Sequence, residues 1–212
     1  MALVLAVFGA AQLSAHRRDE YLQAARIGID PARVEIELDL TPGIALADAI
    51  LADIDRNRDG SLSKEEQQAY ASQVVTALTL EVDGTPVRAQ LDAVEFPDAD
   101  AMRRGEGTIR LHTGATLPRV SSGVHQLLFR NRHQPDRSVY LANALVPENH
   151  EVSVTAQRRD VDQTELTIDY VLRAAPARPA AAWLVAGLAA ATALSALLLR
   201  PLRSTRQKAE GT

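Results

Sequence analysis

From Val34 to Leu40 the chain alternates without a break: Val34, Ile36, Leu38 and Leu40 are apolar, while Glu35, Glu37 and Asp39 are acidic. Successive side chains of a strand point to opposite faces, so this stretch predicts a strand with one buried and one wet face. Residues 21–29 precede it as a hairpin partner, with Asp30-Pro31 in the turn. Residues 79–82 and 87–96 flank Asp83-Gly84, a dipeptide suited to the tight turns that join antiparallel strands. Further β-prone runs lie at 108–112, 124–130, 138–146, 151–158 and 165–172. About nine short strands separated by Gly, Pro, Asn and Asp predict a mainly β protein, an antiparallel sandwich of immunoglobulin-like type.

Between the second and third strands, over residues 41–78, the apolar period lengthens from two to that of a helix. Ala47, Ile50, Leu51 and Ile54 recur at helical spacing after Thr41-Pro42, which predicts an N-cap and first helical residue. Tyr70, Val74, Ala77 and Leu78 form a second apolar stripe, and Ser63 with Glu66 predicts a capping box at its start. The helices enclose twelve residues, 55–66, reading DRNRDGSLSKEE. This segment fits the calcium-loop pattern D-x-[DN]-x-[DN]-G-x5-E at each constrained place. Here the chain resembles the EF-hand superfamily over the loop and its two flanking helices. Calcium is a hard cation that takes about 6–8 oxygens at roughly 2.3–2.6 Å. The expected ligands are Asp55, Asn57, Asp59, Ser61 through its carbonyl, Ser63 through its hydroxyl or a bridging water, and Glu66 through both carboxylate oxygens. Gly60 takes the sixth place, where a sharp turn disfavours any residue with a Cβ. Only one such motif is present, so Leu62, in the eighth place, either packs on the β domain or meets a second chain in a homodimer.

Both ends of the chain differ from its middle. Residues 2–11 are an apolar run too short to cross a bilayer, followed by Leu13-Ser14-Ala15, so residues 1–15 predict a signal peptide cleaved before His16. No Lys or Arg precedes that run, the one feature at odds with a signal peptide, and a start codon further upstream would account for it. Residues 16–173 form the predicted extracytoplasmic domain, and residues 174–179, Ala-Ala-Pro-Ala-Arg-Pro, a stiff linker. Residues 180–199 carry no charge, with Trp183 near one end, and predict a transmembrane helix. Gly187, Ala191 and Ser195 place a stripe of small residues along it, suited to close contact with another membrane helix. Arg200, Arg203, Arg206 and Lys208 against Glu210 leave the tail, residues 200–212, at +3, so with −4 overall the remainder carries −7. Basic flanks stay in the cytoplasm, so a single-pass inner-membrane protein with its acidic domain outside is expected. Nucleic acid is not an expected partner, since phosphate binding needs basic clusters.

With no cysteine, the chain of 212 residues has no disulfide, thiolate site or lipid-modified cysteine. The motifs of serine and metal hydrolases and of phosphate loops are missing, and His16, His112, His125, His133 and His150 never fall at short ligand spacings, so no enzyme is expected. A mature N-terminal His16 offers an amine and an imidazole, a pair suited to copper, with His133 or His112 as a candidate further ligand. The loop Arg130-Asn-Arg-His-Gln-Pro-Asp-Arg137 is expected to be a solvated hairpin turn, with contact to headgroups or a membrane partner as its functional alternative.

The stretches AHRRDEYLQAARI, FRNRHQPDRSVYLANALVPEN and VTAQRRD resemble a group of exported bacterial proteins catalogued by their EF-hand. Their sandwich in turn resembles extracytoplasmic domains attached to hydrogenase/urease accessory permeases, which move nickel or cobalt. The first resemblance implies a membrane-anchored, non-enzymatic calcium-binding module, with calcium structural or sensory. The second implies an accessory subunit of a metal permease, with a membrane transporter as partner.

Overall fold

A computed structural model describes residues 19–174. The expected leader, span and tail, together with His16, lie outside the described residues, as does the linker beyond Ala174. No helix among the described residues is long and apolar enough to cross a membrane.

The described residues are mainly β, with 47% strand against 19% helix. The expected first hairpin forms from β1 (Tyr21–Ile29) and β2 (Arg33–Pro42), with Ile27 opposite Ile36 and Ala25 opposite Leu38. The acidic face of β2 is outward, where Arg26 bonds Glu37 at 2.9 Å and Asp39 at 2.8 Å. After the helical insertion come β3 (Leu78–Val82), β4 (Thr85–Val87), β5 (Gln90–Glu95) and β6 (Ile109–Thr116). The remaining strands are β7 (Gly123–Asn131), β8 (Ser138–Ala144), β9 (Val152–Arg159) and β10 (Glu165–Leu172). They make two five-stranded sheets, ordered β5-β6-β2-β1-β8 and β4-β3-β7-β10-β9. Ile27, Ile36, Leu38 and Leu111 of the first sheet share one hydrophobic core with Leu80, Leu127, Phe129 and Ile168 of the second.

Among the described residues there are ten strands where about nine were expected, and the differences have identifiable causes. Residues 87–96 do not form one strand, because the chain leaves β4 in the second sheet and enters β5 in the first. One neighbour pair, β1 with β8, is parallel, so the first sheet is mixed. Pro42 is the last residue of β2, opposite Tyr21, and the first insertion helix starts only at Ala47. Thr41 spends its hydroxyl on Thr108 at 2.8 Å instead of capping a helix. A short helix α3 (Ala99–Arg103), which no long apolar period announces, buries Met102.

The Asp83-Gly84 turn joins β3 to β4 as expected, with both residues in the left-handed region, at φ 50° and 76°. A Cβ on Gly84 would meet nothing within 4 Å, so its strain would be backbone alone. Gly84→Ala is therefore expected to lower stability by about 1–2 kcal/mol in equilibrium unfolding. An unchanged or raised midpoint would contradict a left-handed turn here.

Helix α1 (Ala47–Ile54) and helix α2 (Lys64–Thr76) are inserted between β2 and β3. Ile50, Leu51, Ile54, Tyr70 and Val74 enter the same core as the sheets, so this hairpin is packed into the domain. The registers place Pro42, Leu78, Asn131 and Ser138 at one end of the sheets, under the helices. Leu172 pairs with Gly123 at the other end, so the described chain leaves away from the helical hairpin. A nine-residue strand separates the two ends by roughly 26 Å.

Candidate metal centre

The loop between α1 and α2 places all six expected ligands within one turn of chain. Helix α1 delivers Asp55 as its C-cap, whose N–H bonds the Leu51 carbonyl at 2.8 Å. The Asp55 carboxylate then accepts from the backbone of Asp59 at 3.2 Å and of Gly60 at 2.9 Å. Asn57 Oδ1 accepts from the Asp59 N–H at 2.8 Å, and Asn57 Nδ2 donates to Asp59 Oδ2 at 2.9 Å. Asp59 Oδ1 takes the Ser61 N–H at 2.8 Å. These bonds curl the backbone around its own carboxylates. Gly60 stands at φ 83°, as the sixth place requires, and Arg58 also lies in the left-handed region at φ 61°. A non-glycine residue there costs about 1–2 kcal/mol, which the network around it must offset.

Glu66 closes the loop. Its Oε1 accepts from the backbone of Arg56 at 3.0 Å and Asn57 at 3.2 Å, and its Oε2 from the backbone of Ser63 at 3.0 Å. One carboxylate thus ties the first residues of the loop to its last. The expected capping box is present: the Ser63 hydroxyl accepts from the Glu66 N–H at 3.2 Å and donates to Oε2 at 2.8 Å. Hydrogen bonds from the Ser63 hydroxyl and backbone, then from Asn57, hold the Glu66 carboxyl below the usual carboxylate range. Only 9% of its surface is exposed. It is therefore ionised at neutral pH and aimed into the loop.

In kind, this donor set fits calcium: three carboxylates, an amide, a hydroxyl and a backbone carbonyl, all hard oxygens. A carboxylate oxygen that accepts one N–H retains a further lone pair for a cation. The side chains are nevertheless held apart on the loop backbone. Among the described residues no three His, Asp or Glu side chains stand together as a preformed metal cluster. Leu62 is half-buried against the core of its own chain, and its carbonyl accepts from Gln67 Nε2 at 2.9 Å. That is the first of the two arrangements expected of it.

The segment expected to be a solvated hairpin turn is different. β7 and β8 belong to different sheets, so residues 132–137 cross between layers, directly under the helices. His133 is only 7% exposed. Its Nε2 meets the Tyr70 hydroxyl at 3.2 Å, and Tyr70 meets Tyr21 at 2.8 Å. Its carbonyl accepts from Gln23 Nε2 and from the Tyr140 hydroxyl, each at 2.8 Å. Arg130 lies within β7 and pairs with Glu165, while Arg137 pairs with Asp53 of α1 at 2.7 Å. Sequence periodicity missed His133 because a polar residue in a loop carries no apolar period.

Burial pushes the His133 imidazole down to about 4, so the folded protein holds it neutral. The unfolded chain binds a proton near pH 6.5, and stability falls as pH drops below that value. The expected loss is about 2 kcal/mol between pH 6.5 and pH 5. Urea unfolding at both values should show this slope in wild type and lose it in His133→Gln, whereas an equal slope in both would refute the assignment.

His125 has the opposite environment. Its Nδ1 lies 2.8 Å from Asp83 Oδ2 and its Nε2 2.7 Å from the Ser121 carbonyl, so both nitrogens face acceptors. The bond to Asp83 raises its pKa above the ordinary value even though burial opposes the shift. It is a satisfied structural pair at the rim of the core. A groove of about 590 Å³ beside α2 is lined by Val75, Leu80, Val87 and Leu91, and Arg88 is its one charged lining residue. It contains none of the loop ligands.

No protein-family model matches the chain, and no curated protein matches it.

Proposed function

We propose that the protein is a membrane-anchored, extracytoplasmic, non-enzymatic calcium-binding module, in which an EF-hand is inserted into an immunoglobulin-like sandwich. The observation that carries this reading is the loop itself. Its twelve residues keep the calcium spacing, turn at Gly60 with φ 83°, and bring the ionised Glu66 back to the backbone of Arg56 and Asn57. Asp55, Asn57, Asp59, Ser63 and Glu66 would hold the ion by side chains and Ser61 by its carbonyl. The ion would supply the positive charge that gathers three carboxylates lying within twelve residues. The anchor rests on the uncharged stretch 180–199 and the basic tail behind it.

Ligand charge and rigidity tune affinity. Two neutral side chains, Asn57 and Ser63, and the neighbouring Arg56 and Arg58 place the loop in the weak extracellular regime, with Kd on the order of 10⁻⁴–10⁻³ M. Free calcium at ten times Kd then stabilises the fold by about 1.4 kcal/mol through mass action. Thermal melting of the full chain should shift upward in calcium and much less in equal magnesium, which prefers octahedral geometry at about 2.0–2.1 Å and keeps its waters. A melting temperature that ignores about 10 mM calcium, roughly ten times the weakest expected Kd, would refute the reading.

A further inference from the structure

The segment between β7 and β8 touches both arms of the helical hairpin. Arg137 donates to Asp53 at 2.7 Å and Gln134 Nε2 donates to the same carboxylate at 3.1 Å, two residues before the first calcium ligand. His133 meets Tyr70, four residues after the last ligand. The Arg132 N–H bonds the Ala77 carbonyl at 3.1 Å, which holds the far end of α2. The segment is itself fixed to both sheets. The His133 N–H donates to Asn131 Oδ1 at 2.9 Å, Asn131 Nδ2 donates to Gln23 Oε1 at 2.8 Å, and the His133 carbonyl takes the bonds from Gln23 and Tyr140. Gln134 holds a left-handed backbone, at φ 51°, to make the bend.

A calcium loop binds well only if the helix bearing Asp55 and the helix bearing Glu66 are held at the right separation before the ion arrives. In paired EF-hands a second motif can serve as that frame, but this chain carries one motif, and Leu62 packs on its own core. We infer that residues 132–137 are the frame of the calcium site, with Arg137 and His133 acting as positioning residues through their contacts to Asp53 of α1 and Tyr70 of α2. The inference rests on the calcium reading above and adds the element that sets the site's affinity. It also couples calcium occupancy to the crossing between the two sheets, since whatever the segment does for the ion the ion does in return for the segment.

The sign of one effect separates positioning from electrostatics. Arg137 is a positive charge near the site, so removing it should leave calcium binding unchanged or tighten it if charge alone mattered. Positioning requires the reverse. Calorimetric titration of the full chain with calcium alone should give Arg137→Gln and His133→Gln a Kd raised at least about 5-fold, the lower end of typical coupling between sites. Ile168→Val, a core change in β10, should lower the melting temperature and leave Kd unchanged. Asp53→Asn combined with Arg137→Gln should cost less than the product of the two single effects, because both break one ion pair. A Kd unchanged or lowered in both Arg137→Gln and His133→Gln, whatever their melting temperatures, overturns the inference and leaves the calcium reading standing. An absence of calcium heat in wild type overturns both.

Discussion

Replacing Phe129 with Ala is expected to destabilise the protein by about 3–5 kcal/mol, the range for deleting a buried aromatic ring. Phe129 lies on β7, the middle strand of the second sheet, with 1% of its surface exposed. It sits opposite Leu80 of β3 and Leu166 of β10, and belongs to the core cluster that includes Ile36 and Leu38 from the other sheet. The removed ring leaves a cavity that neighbours fixed in two hydrogen-bonded sheets can close only in part. Leu141→Ala on the outer face of β8, where the side chain is 43% exposed, should cost no more than about 0.5 kcal/mol. Equilibrium unfolding of the full chain in urea measures both. Equal losses at the two positions would contradict a core shared between the two sheets.

Where one local rule decides the outcome, the sequence was a reliable guide. The alternation from Val34 to Leu40 needed only the period of a strand, and the two residues Asp83-Gly84 only a tolerance of positive φ. The reciprocal bonds of Ser63 and Glu66 needed nothing beyond three residues of spacing. Features set by tertiary competition were not legible. Thr41 and Pro42 make a good helix start by propensity, yet pairing with Tyr21 and Thr108 keeps them in the sheet. Nothing in residues 87–96 announces that the chain changes sheets near Arg88-Ala89, because both halves share β propensity. The parallel partnership of β1 with β8 joins residues more than a hundred positions apart, which no local pattern encodes.

The candidate site divides the same way. The proposed ligand residues are legible because calcium demands particular oxygens at particular places along one short segment. The surroundings that hold them are not. His133 reads as one of five scattered histidines, and its burial depends on Tyr21, Tyr70 and Tyr140, which are distant in sequence. The loop chemistry is local, whereas the frame of the loop is a property of the whole domain.

Glu66→Gln is expected to abolish calcium binding in the accessible range while leaving the domain folded. The substitution removes the charge and one oxygen of the carboxylate proposed to bind the ion with both of its oxygens. It preserves the helix start, because Gln serves as well as Glu in the capping box with Ser63. Its amide nitrogen cannot accept from the Arg56 and Asn57 N–H groups as Oε1 does, so the tie across the loop goes with the ligand, and an unchanged melting temperature of the calcium-free variant separates loss of the site from loss of the fold. Isothermal titration of calcium into the wild-type chain and into Glu66→Gln tests whether the loop binds calcium through this carboxylate. A saturable heat is expected in wild type, with Kd on the order of 10⁻⁴–10⁻³ M, and none in the variant. Identical heats from the two proteins would show that the loop is a turn between two helices and not a calcium site.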